Sequence, residues 1–322
     1  YSNAVQIGGD LQIGIGTTQS TLTLTGSTTI LGSGATRAIA VNGSGTNTSN
    51  FNPVIFGGPI GDGGNNNGLL IQGVAAGNST RVFFGLGAAD TAANTYTGLT
   101  TVGNSTATIA TLVLDKADGT NAVRGDLTVA NAGAVSLNRA NQIADTSTVT
   151  VSGGNLAFAP GSGTSDNGVN ETISNLTMTA GTLNTDPSAA GGSNTVTVNN
   201  TLAFSGGVLR INPTSTVVAN AVQVSGTNTS GFRLGGTLEV GSGGLTLTQS
   251  DFAPDSGSGF FNIMQFAAGN SNDGVDVGTV QGGTMKLNGN ITTVASATNT
   301  NGLRISVGAG GTNSSIDLNG GN

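Results

Sequence analysis

The chain of 322 residues contains no cysteine, no histidine and no tryptophan. Without histidine and cysteine it has neither the general base of a Ser–His or Cys–His mechanism nor the usual ligands of a zinc site. Without cysteine it also has no disulfide framework. These absences leave carboxylates as the only serious candidates for catalytic chemistry.

Charged residues are also scarce, at 8% of the chain, and they give a net charge of −7 and a sequence pI near 4.2. Binding to nucleic acid or to an anionic membrane surface needs clustered Lys and Arg, whereas the 9 Lys and Arg residues lie singly along this chain. No apolar run approaches the roughly 18 residues of a spanning helix. We therefore expect no nucleic-acid partner and no membrane insertion by this chain.

Glycine is abundant instead, with 55 residues. Collagen, disordered low-complexity chains and repetitive β-structures share this bias. Collagen needs glycine at every third position and abundant proline, but this chain has only 6 prolines. Disorder needs few apolar residues and high net charge, but 36% of the residues are hydrophobic and the mean hydropathy is +0.08. Repetitive β-structure is the class that remains.

Short segments in which apolar residues alternate with threonine recur along the whole chain. Each segment places its apolar side chains on one face, as a half-buried strand does, and glycine, asparagine or aspartate follows within a few residues. The pattern predicts an all-β fold, a right-handed parallel β-helix (solenoid), with about 20–25 residues per coil and about 13–16 coils. The hand follows the general preference of parallel crossovers. Examples are the segments 22–24, 127–129, 149–151, 196–198 and 245–247.

We expect residues 1–322 to form a single solenoid with two irregular places. Residues 43–80 contain two prolines among many glycines and asparagines, which indicates an insertion or a wider coil. Residues 159–170 are typical of a loop that leaves the rod. The densest apolar cluster lies in 249–274, around Phe260 and Phe261, and predicts an aromatic-packed coil or a cap near the C-terminal end.

The stretch 94–104 carries a distinctive motif made of Asn94, Tyr96, Thr97, Gly98, Thr100 and Val102. It resembles the autotransporter-associated β-strand repeat, which occurs in the passenger regions of bacterial surface proteins. Weaker similarity to such passengers extends over much of the chain. The resemblance implies a right-handed parallel β-helix that is exported and displayed on the bacterial cell surface, and it implies no chemistry.

Many β-helices act on polysaccharides, and glycoside hydrolases need two facing carboxylates. Three pairs of aspartates lie close together in the sequence, each beside turn-forming residues, and we interpret all three as solvated corners. Tyr96 and the phenylalanines are expected to pack inside the solenoid. We predict no catalytic residue, no cofactor-binding residue, no metal ligand and no cofactor. The three pairs are Asp115 with Asp118, Asp251 with Asp255, and Asp273 with Asp276.

Three functions remain open for such a solenoid. The first is a secreted structural subunit that self-associates head to tail through its terminal strands into a surface fibre, because unpaired strand edges invite pairing with another chain. The second is an adhesin-like passenger that is displayed singly and binds glycans or cells through inserted loops such as 43–80. The third is a polysaccharide-active enzyme, which the scattered carboxylates disfavour.

Overall fold

The computed structural model describes residues 1–15, 21–43, 53–73, 80–104, 109–158, 168–185, 192–225, 232–248, 261–266, 284–294, 303–307 and 315–318. Every regular element within these ranges is a β-strand, so the all-β prediction is confirmed. The strands are β1 (Val5–Ile7), β2 (Leu11–Ile15), β3 (Leu22–Leu24), β4 (Thr28–Ile30), β5 (Thr36–Gly43), β6 (Val54–Phe56), β7 (Ile60–Gly61), β8 (Gly68–Gln72), β9 (Thr80–Phe84), β10 (Thr100–Val102), β11 (Ala110–Leu114), β12 (Leu127–Val129), β13 (Gly133–Leu137), β14 (Thr148–Ala157), β15 (Glu171–Ile173), β16 (Asn175–Asn184), β17 (Thr195–Phe204), β18 (Val208–Ile211), β19 (Thr216–Ser225), β20 (Phe232–Leu234), β21 (Thr237–Thr248), β22 (Phe261–Phe266), β23 (Thr284–Leu287), β24 (Ile291–Val294), β25 (Leu303–Val307) and β26 (Ser315–Leu318).

All strand pairings among the described residues are parallel. Apart from the separate pair of β22 and β25, they stack into three ladders that the chain visits in the same order in each coil. This arrangement is a parallel β-helix, as the sequence predicts. Ladder 1 contains β1, β4, β7, β15, β23, β26 and the first halves of β17, β19 and β21. Ladder 2 contains β2, β5, β8, β10, β12, β24, the first halves of β14 and β16 and the second halves of β17, β19 and β21. Ladder 3 contains β3, β6, β9, β11, β13, β18, β20 and the second halves of β14 and β16.

Alternation along each strand decides which side chains enter the core. In β14, Val149 and Val151 are fully buried while Thr150 between them is half-buried on the outer side. Because the strands are in register, apolar side chains stack on one another from coil to coil and form continuous interior columns. The column in ladder 2 contains Ile39, Ile71, Val102, Val129, Val151, Met178 and Phe204.

The coils differ in length more than the sequence indicates. Val149 lies 22 positions after its partner Leu127, Val54 lies 32 positions after Leu22, and Ile291 lies 46 positions after Leu245. The number of residues from one coil to the next therefore more than doubles along the chain, although the paired strands stay in register. The described strands form eleven levels in ladder 2, fewer than the 13–16 coils expected.

The described part of the irregular segment 43–80 belongs to the rod. Residues 53–73 contain β6, β7 and β8, and each of them pairs in register with strands of neighbouring coils. An insertion or a wider coil at 43–80 stays a prediction. Residues 44–52, 74–79 and 159–167 lie outside the described residues.

The alternating segment 149–151 continues into a longer strand. β14 runs on through the glycines and changes register between Val151 and Ser152 and again before Asn155. Gly153 has a φ of +145° there, a conformation that side chains with a Cβ rarely adopt. The bulge carries the chain from ladder 2 to ladder 3 without a loop.

Candidate functional site

The motif residues of 94–104 lie at the corner that leads into β10, and their side chains join neighbouring coils. The Oδ1 atom of Asn94 accepts a hydrogen bond of 2.8 Å from the N–H of Ile60, and its Nδ2 donates one of 2.7 Å to the carbonyl of Ala122. Asn94 is buried. Its amide therefore satisfies backbone groups of the coil before it and of the coil after it.

Tyr96 is fully buried, which confirms the interior position expected for it. Its hydroxyl lies 2.7 Å from Thr100 Oγ1, and burial raises its pKa above the ordinary range of tyrosine. Its ring completes an edge-to-face series with Phe84 and Phe56, in which the centroids lie 6.5 and 6.0 Å apart. A ring enclosed in this way cannot stack on a sugar at the surface.

The motif needs a glycine at position 98 because there is no room for a side chain between the coils. A Cβ at this position would lie 2.4 Å from the carbonyl carbon of Asn67 in the preceding coil. On the other side, a Cβ at Gly125 in the next coil would lie 2.3 Å from the Gly98 oxygen. The backbones of successive coils therefore approach each other here more closely than any side chain allows.

Asp62 anchors the same corner from the coil before it. Its carboxylate accepts hydrogen bonds from the backbone N–H groups of Gly64 and Asn67, at 2.9 Å each, and weaker ones from the N–H and hydroxyl of Thr97. Burial by itself would raise the pKa of Asp62, but the hydrogen bonds together outweigh it and lower the pKa. This carboxylate is a structural acceptor with its coordination filled by the protein.

A second group of buried polar residues occupies the corner between ladders 3 and 1. Lys116 Nζ lies 2.9 Å from Asp90 Oδ2, and both side chains are almost fully buried. The side chain of Gln142 binds the backbone of Lys116, accepting from its N–H at 2.8 Å and donating to its carbonyl at 3.2 Å. Glu171 accepts from the N–H of Gln142 at 2.8 Å and of Ile143 at 3.2 Å. Successive coils are thus joined in series.

Among the described carboxyl groups, that of Glu171 has the pKa furthest from its ordinary value. Burial is the main cause and raises its pKa to about 8, while the hydrogen bonds from the backbone of Gln142 and Ile143 act in the opposite direction. A raised carboxyl pKa is typical of catalytic acids. Here the carboxyl is only 1% exposed and its oxygens accept backbone N–H groups, which indicates a structural role.

The aspartates that the sequence brings forward for hydrolysis are engaged in separate contacts. Asp115 forms an ion pair of 3.1 Å with Arg139, and Asp118 accepts a hydrogen bond of 2.9 Å from the N–H of Ala140. Asp251, Asp255, Asp273 and Asp276 lie outside the described residues. In the described part of the chain, no three metal-ligating side chains gather at one place, and no helix could cross a bilayer.

The first coil forms one end of the described ladders. On the other edge of β3, which pairs with β6, the N-terminus of Tyr1 donates to the Thr23 carbonyl at 2.7 Å and the Tyr1 carbonyl accepts from the N–H of Thr25 at 2.8 Å. Among the described strands, β1 and β2 pair on one side only, with β4 and β5. The inward apolar side chains of the first coil are also less covered than those of the next coil. Val5, Leu11, Ile13 and Leu22 are half-buried, whereas Ile30, Ile39 and Val54 are at most 1% exposed.

Comparison with known protein families, with curated proteins and with solved structures gave no match. The resemblance to the autotransporter-associated repeat therefore rests on the motif residues themselves.

The buried polar groups were not predicted from the sequence, namely Asp62, Asp90, Lys116, Gln142 and Glu171. Asp62 bonds mainly within its own corner, to Gly64 and Asn67, and the other four find a partner in another coil. The usable signal is a polar residue at or within two residues of a strand boundary, which holds for Asp62, Lys116 and Glu171 but not for Asp90 and Gln142.

Proposed function

We propose that this chain is an extracellular structural β-solenoid of the bacterial cell surface, a subunit that associates head to tail into a fibre or matrix filament. The observation that carries the proposal is the first coil, in which β1 and β2 present unpaired strand edges above partly covered apolar side chains. Such an edge is a template for another strand. A contact between unlike ends does not close, so its repetition produces a filament.

The outer surface supports a structural role. Thr101, Thr128, Thr150 and Thr177 occupy the same outward position in four successive coils of ladder 2. A similar row in ladder 1 contains Thr195, Thr216, Thr237 and Thr284. These side chains are small, neutral and half-buried, and their hydroxyl groups keep the surface wettable without charge. Such a surface suits a durable rod outside the cell.

Negative-stain electron microscopy of the native, unheated protein, with sedimentation beside it, tests this function. Fibres with an axial repeat near the length of one rod are expected. Ile13→Lys places a charge on the inward side of β2 and should abolish the fibres. The matched control is Gln12→Lys, which places the same charge on the exposed outer side of the same strand and should leave the fibres unchanged. Monomers under all native conditions would refute the proposal.

A singly displayed adhesin is the second candidate, and one outward cluster favours it. Ile55 and Phe83 are neighbours on the outer side of ladder 3, both half-buried, and the Arg81 guanidinium lies 4.8 Å from the centre of the Phe83 ring. An aromatic ring beside a cation suits a glycan or another cell-surface ligand. Isolated rods that bind a glycan array, and whose binding is lost in Phe83→Ala, would support this function over the fibre.

An enzymatic role receives no support from the described carboxylates, because Asp62, Asp115, Asp118 and Glu171 all have protein partners. We therefore propose a protein without catalytic activity. Cleavage of any polysaccharide in a broad panel, lost on substitution of one of these residues, would contradict this.

A further inference from the structure

The buried pair of Lys116 and Asp90 joins adjacent coils at the corner between ladders 3 and 1. Lys116 lies two residues after the end of β11, and Asp90 follows the end of β9. The backbone holds the two coils together beside the pair, because the N–H of Ala117 donates to the Asp90 carbonyl at 2.9 Å. Nζ and Oδ2 lie 2.9 Å apart, so the carboxyl carbon lies one bond beyond the oxygen that the amine contacts.

Both side chains are held in place. The Lys116 backbone is bound on both its N–H and its carbonyl by the side chain of Gln142. Asp90 donates its own N–H to the Gly87 carbonyl, and its Oδ1 accepts from the N–H of Ala92. The second carboxylate oxygen therefore faces the amine with little freedom to turn away. Reacting groups fixed at contact distance behave as if present at very high concentration.

The surroundings of the pair exclude water. The Lys116 side chain is 0% exposed and the Asp90 side chain 3% exposed, so both have lost their hydration. Burial lowers the pKa of Lys116, and its partner Asp90 counteracts only part of this effect. The proposed reaction begins with transfer of one proton along the 2.9 Å contact, from the ammonium to the carboxylate, which produces an amine and a carboxylic acid. Those are the forms that can condense.

We propose that Lys116 and Asp90 form an intramolecular amide bond between adjacent coils. The Nζ atom attacks the Asp90 carboxyl carbon, a carbon–nitrogen bond forms, and one carbon–oxygen bond breaks. The departing oxygen leaves as water with two protons from the original ammonium group, so the step needs no oxidant and no activated co-reactant. In water, hydration of the separate ions opposes this condensation; in the dry corner that opposition is removed.

The amide bond would be a covalent cross-link between adjacent coils of the solenoid. The chain contains no cysteine, so no disulfide can link its coils. An amide between residues 90 and 116 closes a loop around one coil, and it replaces two buried charges by one neutral group. This inference does not depend on whether the rods assemble into fibres.

Mass spectrometry of the folded chain tests the proposal directly. The intact mass should be lower than the sequence mass by about 18 Da, the mass of one water. Trypsin offers a sharper readout, because no Lys or Arg lies between Arg81 and Lys116. Without the bond, trypsin releases peptides 82–116 and 117–124. With the bond, Lys116 is no longer a cleavage site, and a single peptide 82–124 lacking one water appears. Cleavage after Tyr96 then gives two chains joined by the amide.

Two variants complete the test. Lys286→Met removes the only other lysine and should retain the loss of mass. Lys116→Met combined with Asp90→Leu removes both partners without leaving a buried charge, and should restore the full sequence mass. A wild-type chain that keeps its full mass after prolonged incubation in the folded state overturns the proposal. A loss of one water accompanied by normal cleavage after Lys116 also overturns it, because the dehydration then lies elsewhere.

Discussion

Replacing Asn94 by alanine tests the idea that a single buried amide joins three coils. The substitution removes the acceptor of the Ile60 N–H and the donor to the Ala122 carbonyl. Water does not reach the site, since Asn94 is 1% exposed. Each buried backbone group left without a partner costs about 1–3 kcal/mol, so two such groups lower the free energy of unfolding by about 2–6 kcal/mol.

Asn170→Ala is the matched control. The Oδ1 atom of Asn170 also accepts a backbone hydrogen bond from another coil, from Thr195 at 2.9 Å, but its side chain is exposed and water can replace it. The expected loss there is at most about 1 kcal/mol. Urea unfolding followed by circular dichroism gives both values, and hydrogen exchange at Ile60 locates the effect. Equal losses in the two variants would refute the reasoning, because burial would then not matter.

Two further predictions concern the corner glycine and the buried carboxyl. Gly98→Ala places a Cβ against the backbone of the preceding coil and should lower the free energy of unfolding in urea by about 1–3 kcal/mol. Gly14→Ala is the control, because nothing lies within 4 Å of its added Cβ, and it should change the free energy of unfolding little. Similar losses at both positions would rule out the close approach as the cause. The pKa of Glu171 is raised from 4.5 to about 8 in the folded state. Between these two pH values the folded state binds one more proton than the unfolded state, so the contribution of Glu171 to stability should be greatest in mild acid and should decline as the pH rises toward 8. Unfolding curves at several pH values should show this slope in the wild type and a reduced slope in Glu171→Gln; an unchanged slope would assign it to other groups.

The fold follows from local patterns that need no knowledge of distant residues. Alternation such as Val149-Thr150-Val151 specifies a strand with one buried face, and the 55 glycines disfavour helices, which are the main alternative. The motif of 94–104 has the same property. Tyr96 could be placed inside the solenoid from its pattern, and the structure adds the reason, since its ring packs against Phe84 and its hydroxyl meets Thr100.

The coil lengths and the buried polar contacts could not be predicted, because both depend on register. Lys116 and Asp90 lie 26 positions apart, and they meet only because β11 pairs with β9 from Ala110 opposite Thr80. A shift of that pairing by two residues would keep every apolar side chain inside and would separate the pair. Corner lengths determine the register, and corners rich in glycine and asparagine carry little information about how many residues each strand receives.

The same dependence suggests what the buried polar residues contribute to the fold. The interior columns consist of similar aliphatic side chains, so a coil that slipped by two residues would bury nearly as much apolar surface as the native one. Polar side chains do not tolerate such a slip, because a misplaced Asn94, Lys116 or Glu171 would lie in the core without its partner and would cost several kcal/mol. Hydrophobic burial therefore supplies most of the stability of the rod, while the few buried polar groups at its corners select one register for each coil. A chain built from many near-identical strands needs that selection more than a globular domain does, since its apolar pattern offers each new coil several almost equivalent places to dock.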